Sequence, residues 1–248
     1  MKSPYIELFL LYALNLVAAG AQLFLKALNI RFRSHGEERR RSIASIFAII
    51  GAKTLIFVLS LPPVLAVVLS TPWDGFLVTR THLCAKVIML TYLFDLTYRR
   101  ANAILWVHHT LTFAAILFIL RNTSPSAPGI AGLWISIPAV FAGVGIGVTD
   151  IGGDIAVLLY YIAPQSIATA QAIRACGGYL MLGRATGWSI VLAFVSRGHW
   201  KALELNFPMT IVISVVLLGW VMAEVEEIFA ILGMSERMRS KVTTQEKS

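Results

Sequence analysis

The chain has 248 residues, of which 57% are hydrophobic and 14% charged, and its mean hydropathy is +0.75. A soluble domain of this size needs more charge to cover its surface, so the composition excludes a soluble globular protein and indicates a single all-α membrane domain. The formal net charge of +8 would suggest a nucleic-acid partner for a soluble protein. In a membrane protein it reflects topology and attraction to anionic headgroups, and we expect no nucleic-acid partner.

Apolar runs separated by helix breakers predict seven transmembrane helices. They lie near residues 4–28, 43–70, 82–98, 102–120, 130–158, 167–195 and 206–233. A cleaved signal peptide is the alternative interpretation of the first run, with VAAGA as its cleavage site. The run continues past that segment and contains Glu7 and Asn15, which favours a spanning helix.

The fifth run is the least regular of the seven. Gly143 and Gly147 stand four residues apart, a spacing that predicts close helix packing. The pair Gly152–Gly153 and the terminating Pro164 offer an alternative in which two shorter helices replace one, giving eight spans. This broken run is also the feature that favours a third interpretation, a transporter.

The distribution of lysine and arginine predicts the orientation of the chain. Five of these residues lie in the first loop, two in the second and four in the C-terminal tail, against five on the opposite side. We therefore expect the first loop and the C-terminus in the cytosol and the N-terminus outside or in the lumen.

Ionisable side chains interrupt four of the predicted spans. Burying such a group in a membrane costs several kcal/mol unless it has a partner. The residues are Asp95, His108, His109, Asp150, Asp154 and Arg174. At a rise of about 1.5 Å per residue they lie in the cytosolic half of the bilayer, with the two aspartates of the fifth span at or near its cytosolic end. The shared depth predicts one polar cavity that opens toward the cytosol.

Each of these residues has a simpler alternative interpretation. Asp95 would pair with Arg99 one turn later on its own helix, and the histidines would be core residues bonded to backbone carbonyls. Arg174 would extend toward the headgroups, and Asp150 and Asp154 would belong to a solvated helix end. The coincidence of depth favours the shared cavity over these separate explanations.

The histidine pair suggests acid–base chemistry. A histidine oriented by an aspartate is a general base, suited to deprotonating an amine or hydroxyl nucleophile for acyl transfer. Thr112 follows His108 by four residues, so its hydroxyl is available to fix one imidazole, and Thr112 and Arg174 are candidate substrate-binding residues. A zinc ion held by the pair and a carboxylate is disfavoured, because adjacent helical positions lack the spacing of helical zinc ligands. We expect no metal site.

The stretch YLFDLTYRRANAILWVHHTLT resembles the TLC-domain membrane proteins, which include ceramide synthases and non-catalytic lipid-regulating relatives. The shared pattern is an aspartate near the end of one span, a short basic turn and H-H-x-x-T in the next span, carried by Asp95, His108, His109 and Thr112. The resemblance implies a TLC-type core of six helices plus one N-terminal helix. It divides the chain into an N-terminal helix with a basic loop (1–39), a TLC-like domain (40–235) and a cytosolic tail (236–248).

The resemblance also implies a function in sphingolipid metabolism in the endoplasmic reticulum. Ceramide synthases transfer an acyl group from acyl-CoA to a sphingoid amine, using the histidine pair and two aspartates of a following span. Acyl-CoA would be a co-substrate rather than a bound cofactor, and the partners would be membrane lipids, long-chain acyl chains and a second copy of the chain as a homodimer.

The aspartate stretch departs from the family pattern H-D-x-x-D followed by a glutamate. In TDIGGDIAVL, Asp154 matches the second aspartate, but Ile151 stands at the first and Leu158 at the glutamate. Asp150 is one position early, where the family has histidine. This departure keeps open the alternative of a non-catalytic, lipid-sensing or lipid-regulating membrane protein.

Overall fold

The computed structural model describes residues 5–98, 103–197 and 207–245, and in these ranges the chain forms helices and loops without a strand. The elements are α1 (Tyr5–Leu28), α2 (Ile30–Arg33), α3 (Glu37–Leu69), α4 (Gly75–Tyr98), α5 (Ala103–Asn122), α6 (Pro128–Val140), a π-helical segment π1 (Phe141–Thr149), α7 (Asp150–Ile162), α8 (Ile167–Ser196) and α9 (Phe207–Gln245). The predicted all-α architecture is confirmed for the described residues.

Five helical runs among the described residues are long and apolar enough to cross a membrane: α1, α3, α4, the run from α6 to α7, and α8. These runs indicate a membrane-embedded protein. A helix also lies at each of the other two predicted positions, where α5 and α9 stand. That these two helices also span, making seven, stays a prediction, as do the orientation and the division into domains.

The fifth predicted span is one continuous helical run, Pro128–Ile162, in which π1 joins α6 to α7. Gly143 and Gly147 pack against α3 there, as their spacing predicts, because a Cβ at Gly147 would lie 2.8 Å from the backbone of Phe57. The glycine pair at 152 and 153 does not interrupt the helix. Both residues are buried, and their missing side chains leave room for groups from α8 and α9.

The cytosolic end of α7, in the predicted orientation, is closed by the segment around α2. The Asn29 side-chain amide donates to the carbonyl of Ile162 at 3.1 Å, and the Arg31 guanidinium donates to the carbonyls of Tyr160, at 3.0 Å, and Ala163. The last carbonyls of a helix have no partner within the helix, so these donors satisfy groups that would otherwise need water. The basic loop is thereby tied to the end of the helix that carries Asp150 and Asp154.

The helices pack in two groups that share the run from α6 to α7. Helix α3 contacts α1, α4 and π1, while α8 contacts π1, α7 and α9. Helix α5 contacts α4, α6 and α9. Polar side chains of α3, α4, α5, α7, α8 and α9 face a common interior space.

Candidate functional site

A cavity of about 1040 Å³ lies inside the helical bundle. Six of the seven predicted site residues line it: Asp95, His108, His109, Thr112, Asp150 and Asp154. The seventh, Arg174, is exposed on α8 and is not among the lining residues. The structure therefore brings the predicted histidines and carboxylates to one cavity and leaves Arg174 outside it.

His109 and Asp95 form a buried pair on the cavity wall. The two side chains, each 5% exposed, meet with His109 Nε2 3.1 Å from Asp95 Oδ2. Asp95 lies near the end of α4 and His109 near the start of α5, two helices that follow one another in the chain and contact each other. The alternative partner of Asp95, Arg99, lies outside the described residues.

The ring of Tyr92 stacks on His109 with their centroids 4.0 Å apart, which fixes the plane of the imidazole. An ionised carboxylate only accepts hydrogen bonds, so Nε2 carries the proton of a neutral His109 and Nδ1 has a free lone pair. Within the described part of the chain Nδ1 is buried and has no hydrogen-bond partner. The imidazole is thus held by one nitrogen and can accept a proton on the other.

His108 is partly buried, and its ring lies 5.5 Å from that of His109 at an angle of 52°. The two rings therefore face different directions, as adjacent helical positions require. The Thr112 hydroxyl donates to the backbone carbonyl of His108 at 2.9 Å. The hydroxyl thus donates to its own helix backbone rather than to an imidazole, and its oxygen keeps acceptor capacity. Substrate binding by Thr112 stays a prediction.

Across the cavity, Lys53 of α3 binds the carboxylates of α7. Its Nζ lies 2.6 Å from Asp154 Oδ2 and 4.0 Å from Asp150 Oδ2. The lysine side chain is 11% exposed, so this pair is shielded from bulk solvent. The two aspartates are therefore engaged by a cation.

Arg184 of α8 links three carboxylates. Its Nη2 contacts Asp150 Oδ1 and lies 3.2 Å from Glu227 Oε2, while Nη1 lies 3.1 Å from Glu224 Oε1. Glu224 also accepts a hydrogen bond of 3.1 Å from the indole nitrogen of Trp188. We refer to the side chains of Lys53, Asp150, Asp154, Arg184, Glu224 and Glu227 as the ion-pair network.

The helix that carries Asp150 and Asp154 continues past residue 158, the predicted end of the fifth span. Helix α7 ends at Ile162, so Asp150 stands twelve residues, or about 18 Å, before its end. The depth of these two carboxylates in a membrane stays a prediction.

Sequence reasoning missed four members of the network: Lys53, Arg184, Glu224 and Glu227. Each is an ionisable residue inside a predicted span, which is the same signal that identified Asp95 and the histidines. In the sixth span Arg174 was selected in place of Arg184. Arg174 and Arg184 are ten residues apart, so their side chains point about 80° apart around the helix axis. The sequence does not show which of the two side chains faces the interior.

Among the described residues, no group of three or more histidine, cysteine, aspartate or glutamate side chains has the arrangement of a metal site. The cavity instead offers a buried histidine–aspartate pair on one wall and an ion-pair network on another.

Comparisons with protein-family models, curated proteins and solved structures found no match to this chain. The TLC resemblance thus stays a prediction, and the geometry of the cavity carries the functional argument.

Proposed function

We propose that the protein binds long-chain lipids in this cavity and transfers an acyl group from acyl-CoA to the amine of a sphingoid-like lipid, with His109 as the general base. The observation that carries the proposal is the buried His109–Asp95 pair beside the cavity. A histidine fixed by a carboxylate through one nitrogen and able to accept a proton on the other is the arrangement that general-base catalysis needs.

The proposed reaction follows from this arrangement. The amine nitrogen attacks the thioester carbonyl while Nδ1 of His109 takes a proton from the amine. The new C–N bond forms, the C–S bond breaks, and the proton passes from His109 to the departing thiolate of CoA. Asp95 is a positioning residue that stabilises the imidazolium formed between these steps.

The apolar part of the cavity suits an acyl chain. Its lining runs along α3 from Ser42 to Ser60, eighteen residues or about 27 Å of helix, close to the thickness of a hydrocarbon core. Apolar side chains from three elements, α4, α5 and π1, face this space: Ile88, Ile116, Ile119, Ala142 and Ile146. A long chain would be enclosed there with its polar end near the histidines.

Product formation by the purified full-length protein tests the proposal. The substrates are a long-chain acyl-CoA and a sphingoid amine, and the product is the N-acyl lipid measured by mass spectrometry. We expect His109→Gln to lower the rate by about 10²–10⁴-fold at unchanged thermal stability. The matched control is His35→Gln, since His35 contacts the Tyr161 carbonyl and does not line the cavity. No product from folded wild-type protein would refute the enzymatic proposal.

A non-catalytic lipid-sensing or lipid-regulating function is the second candidate. It is favoured by the pairing of Asp150 and Asp154 with Lys53 and Arg184, which engages both carboxylates in ion pairs. This candidate predicts saturable binding of a long-chain lipid without turnover, and binding that survives His109→Gln.

For either candidate we propose an endoplasmic-reticulum location with the C-terminus in the cytosol, testable by protease protection of epitope tags.

A further inference from the structure

The helices α4 and α5 are bridged by a histidine at two levels of the cavity. At one level His109 of α5 contacts Asp95 of α4 at 3.1 Å. At the other, Nε2 of His82 on α4 lies 2.7 Å from the hydroxyl oxygen of Thr123, the residue that follows α5. The two bridges are 13 residues apart on α4 and 14 on α5, which is about 20 Å along either helix.

The second level is also tied to α3. The Arg80 guanidinium donates to the carbonyls of Val58, at 2.7 Å, and Leu59, at 3.3 Å. Pro62 and Pro63 stand four residues after these carbonyls and have no N–H, so the carbonyls lose their donor within α3. Arg80 replaces that donor and joins α4 to α3 beside the second bridge.

The lining of the cavity stops at this second level. Among the described residues, the first lining residue of α4 is Thr81, the six residues Gly75–Arg80 do not line the cavity, and the last lining residue of α5 is Ile119. Between the two bridges the lining side chains of these helices are mostly apolar: Cys84, Ala85, Ile88, Ala115 and Ile116. The space is therefore suited to an apolar chain that starts at the His109 level and stops at the His82 level.

We propose that this second level sets the length of the acyl chain, with His82 as the residue that determines the limit. The limit rests on the proposed function, in which the reacting carbonyl lies beside His109. An extended chain of single bonds advances about 1.1–1.2 Å per bond, so a space of about 20 Å holds a chain of about 16–18 carbons. The end of such a chain lies against the imidazole of His82.

The affinity for a chain follows from these dimensions. Each added methylene gains free energy by burial as long as it lies within the apolar space. A methylene beyond the limit must bend the chain or displace His82 and Arg80 from their hydrogen bonds, and overpacking of this kind is unfavourable. Affinity therefore rises with chain length up to the limit and falls beyond it.

Competition binding to the purified full-length protein tests the limit without requiring turnover. Saturated acyl-CoAs from octanoyl- to tetracosanoyl-CoA compete with radiolabelled hexadecanoyl-CoA. We expect the affinity to increase up to about 16–18 carbons and to be lower by about tenfold or more for tetracosanoyl-CoA, the effect of forcing extra methylenes into a filled space. His82→Ala, which removes the imidazole at the end, should move the limit to longer chains.

Ala115 and Ala114 provide a matched pair of variants. Ala115 lines the cavity six residues, or about 9 Å, beyond His109. Ala115→Phe should therefore lower the affinity for hexadecanoyl-CoA by about tenfold or more and leave that for octanoyl-CoA unchanged. Ala114 is exposed and does not line the cavity, so Ala114→Phe should leave the length profile as in the wild type.

A wild-type profile without a limit would overturn the assignment while leaving the acyl-CoA reaction standing. The same holds if Ala115→Phe does not move the limit to shorter chains, or if Ala114→Phe moves it equally. Displacement by no acyl-CoA of any length would overturn the acyl-CoA reaction as well. Should His82→Ala not fold, the wild-type profile and the two alanine variants still decide.

Discussion

The His109–Asp95 pair and the ion-pair network line one cavity, but they hold charge in different ways. The pair needs two adjacent helices and a hydrogen bond of 3.1 Å between two side chains. The network needs four helices, α3, α7, α8 and α9, and it consists of linked ion pairs. His109→Gln keeps a side-chain donor for Asp95 and should therefore alter chemistry with little effect on stability, whereas loss of a charge from the network should alter the packing of the whole bundle.

The largest expected effect is that of Lys53→Met. Removing one member of a buried ion pair leaves charge uncompensated, and we expect a loss of about 3–5 kcal/mol in the free energy of unfolding. Thermal or denaturant unfolding in detergent measures it. The double variant Lys53→Met/Asp154→Leu should recover part of this loss, because it removes both charges.

Lys86 provides the matched control for Lys53. Its Nζ also lies 2.6 Å from a carboxylate oxygen, that of Glu7, but both side chains are more than 40% exposed. Lys86→Met should cost less than Lys53→Met, because the charge left behind is not enclosed by the bundle. Equal losses would contradict the assignment of Lys53 to a buried structural network.

The next effect is that of Arg184→Lys, which keeps the charge but removes the planar fork that reaches three carboxylates. We expect a loss of about 2 kcal/mol, the scale of one hydrogen bond between charged groups. Arg174→Lys on the exposed face of the same helix should change stability by less than about 0.5 kcal/mol. A larger loss for Arg174→Lys than for Arg184→Lys would reverse the assignment of the two arginines.

A smaller effect is expected for Gly153→Ala, which places a methyl group 2.6 Å from Glu227 Oε1. The glutamate must move, and because its carboxylate is the far end of a flexible side chain, we expect the move to cancel only part of the gain from the better helix former. Gly178→Ala is the control, since a Cβ there meets no atom within 4 Å and alanine is the better helix former by about 0.5–1 kcal/mol. If Gly153→Ala were as stabilising as Gly178→Ala, the contact between Glu227 and α7 would be refuted.

The two regions also differ in how far the sequence predicts them. Asp95 and His109 are 14 residues apart on successive helices, so the pair is visible in the sequence as a local pattern. Lys53 and Asp154 are 101 residues apart, and Arg184 is 34 residues from Asp150. Their pairing depends on how α3 and α8 pack against α7, which hydropathy does not encode.

The positions of the helices are likewise a local property of the sequence. Apolar runs located every long helix, but α3 and α4 begin six and seven residues before the predicted residues 43 and 82, and α9 ends twelve residues after the predicted residue 233. The effect of the glycine pair at 152 and 153 was not predictable, since glycine both interrupts helices and permits close packing. Only the position of Tyr179 and Glu227 against these residues shows that packing is the reason here.

Both candidate functions require that a long-chain lipid lies inside the cavity. A sphingoid amine with a photoreactive group along its chain can be applied to the full-length protein in nanodiscs, and its cross-links can be mapped by mass spectrometry. We expect cross-links to cavity-lining side chains such as Ile88, Ile116 and Ile146, reduced by an excess of unlabelled lipid. Cross-links confined to the exposed side chains of α1, among them Leu8 and Leu16, and insensitive to competition, would contradict it.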